Sequence, residues 1–172
     1  MDWSHLLTGA VIFGLVLSLG LTTIMIISGA IAPDMWVGKY PPDIKAKFGP
    51  MSARASRIRP FVAAVFFVIV LAIPLIGLSS LRSSVDNIQF LPALVYSVTV
   101  LLVFNVFDLL VLDWLFFCTI QPRQMVLPGT EGMPGYRDYS FHFKGFLKGL
   151  VFCSVGGLVV VCVWMVAQVI LM

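Results

Sequence analysis

The chain contains 172 residues, of which 60% are hydrophobic and only 11% are charged, and its formal net charge is +3. Soluble domains carry about 25% charged residues, so this composition excludes an ordinary soluble protein and predicts an integral membrane protein. Attraction of basic side chains to anionic lipid headgroups accounts for the small positive charge. Membrane lipids are therefore the expected partners, and no nucleic-acid partner is expected.

Four apolar runs are each long enough to cross a bilayer, which takes a helix of about 17–25 residues. They cover about residues 6–32, 61–78, 90–120 and 146–172. We predict that the first is a retained helix, because no Lys or Arg precedes it and it exceeds the apolar core of a signal peptide, which has about 7–15 residues. Residues 1–172 are thus predicted to form one all-α membrane domain, a bundle of four transmembrane helices.

The basic residues are divided very unevenly between the loops. Of the eleven Lys and Arg, only Arg82 lies in the short loop between the second and third spans. The other ten lie in or beside the loops of residues 33–60 and 121–145: Lys39, Lys45, Lys47, Arg54, Arg57, Arg59, Arg123, Arg137, Lys144 and Lys148. By the positive-inside rule, these loops are predicted to be cytoplasmic and both termini outside, in a plasma or inner membrane of bacterial type.

The two basic loops also contain aromatic residues and prolines. Trp36 and Tyr40 stand among lysines, which is typical of a segment at the membrane interface, and Pro41 and Pro42 should prevent one continuous helix there. The loop of residues 121–145 is longer than a usual helix connection. Both an ordered, functional loop and a flexible loop anchored by its aromatic residues fit this pattern.

Small residues recur at about four-residue spacing in the first and fourth spans. Such stripes allow helix backbones to approach closely in a bilayer, so we expect these faces to pack on other helices of the chain or on a second copy in a homo-oligomer. The stripes consist of Gly14, Ser18 and Thr22, and of Gly145, Gly149, Cys153 and Gly156 or Gly157. The three cysteines, Cys118, Cys153 and Cys162, are expected to be small buried residues.

The third span contains three polar residues, Asn105, Asp108 and Asp113. Asp108 would lie about 16 Å inside the nearer end of a regular helix, too deep to reach water, and should face the bundle. It is either a functional acid or a hydrogen-bond clamp with Asn105 and a Ser or Thr of the first span. Asp113 would lie about 140° around an α-helix from Asp108, and near the interface it could pair with Arg123 or Lys148.

Further acids, bases and one histidine gather beside the third and fourth spans, and together they could form an acid-base site. We assign candidate catalytic roles to Asp108, Asp113 and His142. The candidate substrate-binding residues are Asn105, Trp114, Arg123, Glu131, Tyr136, Arg137 and Asp138. No His, Cys or Asp cluster has the spacing of a zinc site, so neither a metal nor another cofactor is predicted.

Three classes of function are compatible with these features. The first is a membrane-embedded enzyme that acts by acid-base chemistry on a lipid-like or isoprenoid-like substrate, a hydrophobic small molecule. The second is a proton-coupled transporter that uses Asp108 as its coupling acid. The third is a non-catalytic subunit or assembly factor that binds its partners through the small-residue faces.

Overall fold

The computed structural model describes residues 2–82 and 88–170, and no strand occurs in these ranges. The predicted loop between the second and third spans falls largely on residues 83–87, outside the described residues. The helices are α1 (Trp3–Ile31), a 3₁₀ helix (Pro33–Lys39), α2 (Pro42–Phe48), α3 (Ala53–Arg82), α4 (Phe90–Phe107), a π-helix (Asp108–Ile120), a second 3₁₀ helix (Pro134–Arg137) and α5 (Tyr139–Ile170).

Four helical segments are long and apolar enough to cross a membrane: α1, α3, α4 with its π-helical continuation, and α5. The predicted bounds of the third span, 90–120, are confirmed. By contrast, α3 begins at Ala53 and α5 at Tyr139, well before the predicted starts at residues 61 and 146. Apolar residues mark only the part of a helix that lies in hydrocarbon, whereas backbone hydrogen bonding continues through the polar first turns.

The α4 helix lies between α1 and α5, and α3 packs chiefly on α1. The closest approaches use glycine. A Cβ atom at Gly14 would lie 3.0 Å from the carbonyl oxygen of Val100, and one at Gly157 would lie 3.0 Å from the backbone nitrogen of Val98. These contacts confirm that the small-residue faces pack closely, as helices in lipid require. A Cβ at Gly145 would touch nothing within 4 Å, so the stripe on α5 does not pack along its whole length.

Large apolar side chains cover the outside of the bundle. Phe61 and Phe152, for example, are 72% and 75% exposed, a pattern that suits contact with lipid. Cys118 and Cys153 are buried as predicted, but Cys162 is exposed. The prediction for Cys162 was wrong because an apolar position in a spanning helix can face lipid as well as protein, and hydrophobicity does not distinguish the two.

The segments before α3 and before α5 meet at one end of the bundle, here called the loop end. Their apolar side chains form a buried cluster against the end of the π-helix: Val37, Tyr40, Ile44, Phe117, Cys118, Leu127 and Tyr136. The first 3₁₀ helix ends at Lys39, and α2 starts with Pro42 at its first position, where a missing N–H is tolerated. The predicted break at Pro41 and Pro42 is therefore confirmed.

Hydrogen bonds tie the two loop segments together. The Tyr40 hydroxyl donates to the Met125 carbonyl at 2.9 Å, and the Gly135 N–H donates to an Asp43 carboxylate oxygen at 3.0 Å. The pKa of the Tyr40 hydroxyl is raised, chiefly by its burial. The loop before α5 therefore contacts the segment before α3 through these two hydrogen bonds and the shared apolar cluster.

The turn into α3 is held by a buried carboxylate. The backbone N–H of Ser52 donates to Asp34 at 2.5 Å. Burial alone would raise the pKa of Asp34, but hydrogen bonds from the backbone and side chain of Ser52 outweigh it and hold that pKa below its ordinary value. The ionised form of Asp34 is therefore part of the folded structure at neutral pH.

Candidate acid-base site

The third span changes its helical geometry at Asp108. Hydrogen bonds from the Thr119 hydroxyl to the Trp114 carbonyl, 2.7 Å, and from the Gln121 N–H to the Phe116 carbonyl, 2.8 Å, each connect residues five positions apart. This is π-helical spacing, which is rare and frequently found at functional sites. The segment ends at Gln121, whose backbone is left-handed with φ 52°.

The π-helix alters the relation between the two aspartates. When hydrogen bonds join residues five apart, a residue and the fifth one after it come toward the same side of the helix. Asp108 and Asp113 have this spacing. The predicted angle of about 140° assumed α-helical geometry of 3.6 residues per turn and was wrong for this segment. The two carboxylates are closer to one face than the sequence indicated.

The Asp113 carboxylate is paired with the His142 imidazole of α5. Nδ1 of His142 lies 2.9 Å from Oδ1 of Asp113, and the two side chains are 6% and 28% exposed. The expected partners of Asp113 were Arg123 or Lys148, and this expectation was wrong. Both cations are exposed, and neither is within ion-pair distance of a carboxylate in the described parts of the chain.

Packing fixes the imidazole of His142. Its ring centroid lies 4.7 Å from that of Phe117 and 5.3 Å from that of Phe141. An ionised carboxylate only accepts hydrogen bonds, so the geometry assigns a proton to Nδ1, and in the neutral ring Nε2 is then an acceptor. Aromatic packing and the Asp113 bond together hold one ring orientation and favour one tautomer.

The α4–α5 seam is here the contact of the third span, including its π-helical continuation, with the start of α5. Two of its buried polar atoms have no hydrogen-bond partner among the described residues. They are Nε2 of His142 and Nε1 of Trp114. The Trp114 ring packs edge-on against Tyr139 at 6.0 Å, and the Tyr139 hydroxyl lies 3.0 Å from that of Thr119. Most buried polar atoms in proteins are paired, so Nε2 and Nε1 each keep an unused capacity to hydrogen-bond.

Asp108 behaves differently from Asp113. It is half-buried, and no group in residues 2–82 or 88–170 hydrogen-bonds to its carboxyl. The clamp expected at Asp108 is instead made by Asn105, whose amide donates to the Phe146 carbonyl of α5 at 3.2 Å and lies against Gly149. The clamp therefore joins the third span to the fourth and not to the first.

Lys39 is an exposed cation on the loop segment that packs against this site, and the sequence analysis did not include it. Lys39 precedes Tyr40, whose ring packs at 5.0 Å on Phe117, the residue that also contacts His142. No sequence signal links Lys39 to the third span, because the two are brought together only by the packing of the loop end.

The remaining candidate residues lie in the loop before α5. Tyr136 is buried, and its hydroxyl accepts from the Leu127 N–H at 2.9 Å. Glu131 accepts from the Gly129 N–H, and the N–H groups of Glu131 itself and of Gly129 lower the pKa of this exposed carboxyl. Asp138 accepts from the Phe141 N–H. These three residues stabilise loop structure and the start of α5. Arg123 and Arg137 are exposed.

The structure thus pairs Asp113 with His142, and Trp114, the residue after Asp113, packs on Tyr139. Within the described ranges, no three His, Cys, Asp or Glu side chains are placed to hold a metal ion. No protein-family model, curated protein or solved structure matches this chain. Function must therefore be inferred from the chemistry of the site.

Proposed function

We propose that this membrane protein is an enzyme that transfers a proton to or from a lipid-like substrate, with His142 as the acid-base group. The observation that carries the proposal is the buried Asp113–His142 pair, which leaves Nε2 of the imidazole without a partner. A histidine oriented through Nδ1 by a carboxylate has Nε2 left for proton transfer. Asp113 is then a positioning residue.

The surroundings of the pair favour an amphiphilic substrate. His142 lies in the first turn of α5, at the junction between the spanning helices and the loop end. Large apolar side chains nearby on both helices face outward: Leu110, Leu115, Phe143 and Leu147. A substrate with an apolar tail could reach the site laterally from the bilayer, with its polar end among the loop residues. A lipid or an isoprenoid has this form.

The proposed orientation places the loop end in the cytoplasm and both termini outside. It rests on the concentration of ten of the eleven Lys and Arg at the loop end. In a variant without native cysteines, an external thiol reagent should label a cysteine at position 84, which lies outside the described residues, and should spare one at Ser52. The reverse pattern would invert the assignment and move the site to the outer surface.

Activity can be tested without a known substrate. Purified protein in nanodiscs would be incubated with a total lipid extract, and lipid species would be compared by mass spectrometry. Wild type should convert at least one species, and His142→Gln should lower the rate by about 10²–10⁴-fold, the usual contribution of a general acid or base. His5→Gln, at an exposed position on the opposite end, is the matched control. No conversion by wild type, or equal rates for His142→Gln, would contradict the proposal.

Proton-coupled transport is the second candidate, and the π-helix favours it. Asp108 and Asp113 follow one another along the third span, and Asp113 contacts His142 at the start of α5; titratable groups in such an order occur in the proton relays of transporters. Reconstituted protein should then dissipate an imposed pH gradient when its substrate is added. Asp108→Asn should abolish this flux. If Asp108→Asn loses lipid conversion and no proton flux is detected, the enzyme is the better account.

The structure gives less support to a subunit that binds partners through glycine faces. Gly14, Gly149 and Gly157 already contact Val103, Asn105 and Val98 within this chain. These positions on the small-residue stripes are therefore occupied by the protein's own helices.

A further inference from the structure

The carboxylates at the loop end are all engaged without using a lysine or arginine. Asp34, Asp43, Glu131 and Asp138 each accept a hydrogen bond from a backbone N–H, and Asp113 is paired with His142. Ten Lys and Arg lie at the same end. Within the described ranges, none of these cations is within ion-pair distance of a carboxylate. The positive charge of this surface is therefore available to an anion from outside the chain.

Lys39 is the cation of that surface on the segment that packs against the acid-base site. It is exposed, ends the first 3₁₀ helix, and precedes the Tyr40 ring that packs on Phe117. Phe117 in turn contacts the His142 ring. Lys39 is thus joined to the seam through Tyr40 and Phe117, on the exposed side where the hydrated end of an amphiphile would lie.

The unpaired atoms of the seam add a second requirement. Nε2 of a neutral His142 needs a hydrogen-bond donor, and Nε1 of Trp114 needs an acceptor. A hydroxyl group supplies both kinds of atom, whereas a quaternary ammonium or a methyl group has no N–H or O–H to donate. The ligand that fits is therefore both anionic and hydroxylated.

We propose that the α4–α5 seam binds a phospholipid with an anionic, hydroxyl-bearing headgroup, whose phosphate lies at Lys39 and whose hydroxyl donates to Nε2 of His142. This inference rests on the proposed function and names its substrate class. The outward apolar side chains beside the seam, including Leu115 and Phe143, favour a lipid over a free phosphate ester.

Two lipids of equal charge allow a direct test. Phosphatidylglycerol has headgroup hydroxyls, and phosphatidylmethanol, otherwise alike, has none. Binding of each to the purified protein would be measured by native mass spectrometry in detergent. Phosphatidylglycerol should bind about fivefold more tightly, the value of one hydrogen bond near 1 kcal/mol. His142→Phe should remove this difference, and His5→Phe should keep it.

The phosphate contact is tested at Lys39. Lys39→Gln should lower the affinity for both lipids by about fivefold, because a basic residue at a membrane surface contributes about 1 kcal/mol to binding of anionic lipid. Lys39→Arg should keep the wild-type affinity. Arg82→Gln at the opposite end is the control. Equal affinity for the two lipids in wild type, or no effect of Lys39→Gln in a protein of unchanged thermal stability, would overturn the inference.

Two further outcomes separate the inference from the proposed function. If glycerol phosphate or inorganic phosphate displaces the lipid at equal concentration, the ligand is a free phosphate compound and the lipid assignment is wrong. If the nanodisc assay shows conversion only of lipids without an anionic headgroup, the enzyme stands and this substrate class fails. Selective binding of phosphatidylglycerol without any lipid conversion would support the site and refute the enzyme.

Discussion

Replacing Gly149 by leucine should destabilise the contact between α4 and α5. A Cβ atom at this position would overlap the side chain of Asn105, whose amide donates to the Phe146 carbonyl at 3.2 Å. Asn105 must then move and lose an interhelical hydrogen bond that is worth about 0.6 kcal/mol on average in a bilayer and up to about 1.7. The rest of the leucine side chain adds overpacking of about 1–3 kcal/mol. We expect a total loss of about 2–5 kcal/mol.

The matched control lies one turn earlier on the same helix. A Cβ at Gly145 would meet nothing within 4 Å, so Gly145→Leu should be neutral or slightly stabilising, because leucine is a better helix former than glycine by up to about 1 kcal/mol. Both variants would be compared by reversible unfolding in mixed micelles. Gly149→Ala, which adds only the overlapping atom, should cost about 1–2 kcal/mol through the displaced amide.

A double-mutant cycle identifies the cause. In an Asn105→Ala background the overlapping side chain is absent, so Gly149→Ala should cost less than it does in wild type, and the two effects should not add. Additive effects would show that Asn105 does not occupy this position. Equal stability of Gly149→Leu and wild type would show that the close α4–α5 contact is absent, and the placement of His142 against Asp113 would then be in doubt.

Three other changes test the loop end. Asp113→Ala should cost about 1–3 kcal/mol by leaving the buried Nδ1 of His142 unpaired; thermal unfolding measures this, and an unchanged midpoint would contradict the pair. Tyr136→Phe should increase hydrogen exchange in residues 125–131, because the buried Leu127 N–H loses its acceptor, while Tyr139→Phe should leave that exchange unchanged; equal effects would refute the assignment. The pKa of Asp34 is lowered in the folded protein, so its contribution is present above the unfolded value of about 4 and is lost as pH falls through the lower folded value. Wild type should therefore exceed Asp34→Asn in thermal stability at neutral pH and lose this advantage progressively as the pH falls below the unfolded value; an advantage independent of pH would exclude the carboxylate as its cause.

The sequence by itself determined the class of the protein and its four spanning segments. Those properties depend on composition and on the length of apolar runs, which are local and can be counted. The same holds for the break at Pro41 and Pro42, since proline restricts its own backbone wherever it occurs. The gathering of ten basic residues into two loops is also a property of the sequence, and the structure confirms that the two loops share one end of the bundle.

Only the tertiary structure decided which polar side chains meet. Sequence position placed Asp113 and His142 near one end of the bundle, but an arginine or a lysine was an equally good partner for Asp113. The structure places the His142 ring against Phe117 and Phe141, within reach of Asp113. From the sequence, Asn105 could face any neighbouring helix. In the structure it meets α5, where Gly149 has no side chain to exclude it. The π-helix could not be read from the sequence, because α- and π-helices accept the same residues and differ only in the hydrogen-bond register. That register sets the relative direction of Asp108 and Asp113. The other pairings depend on contacts between helices, which no single segment of the sequence contains.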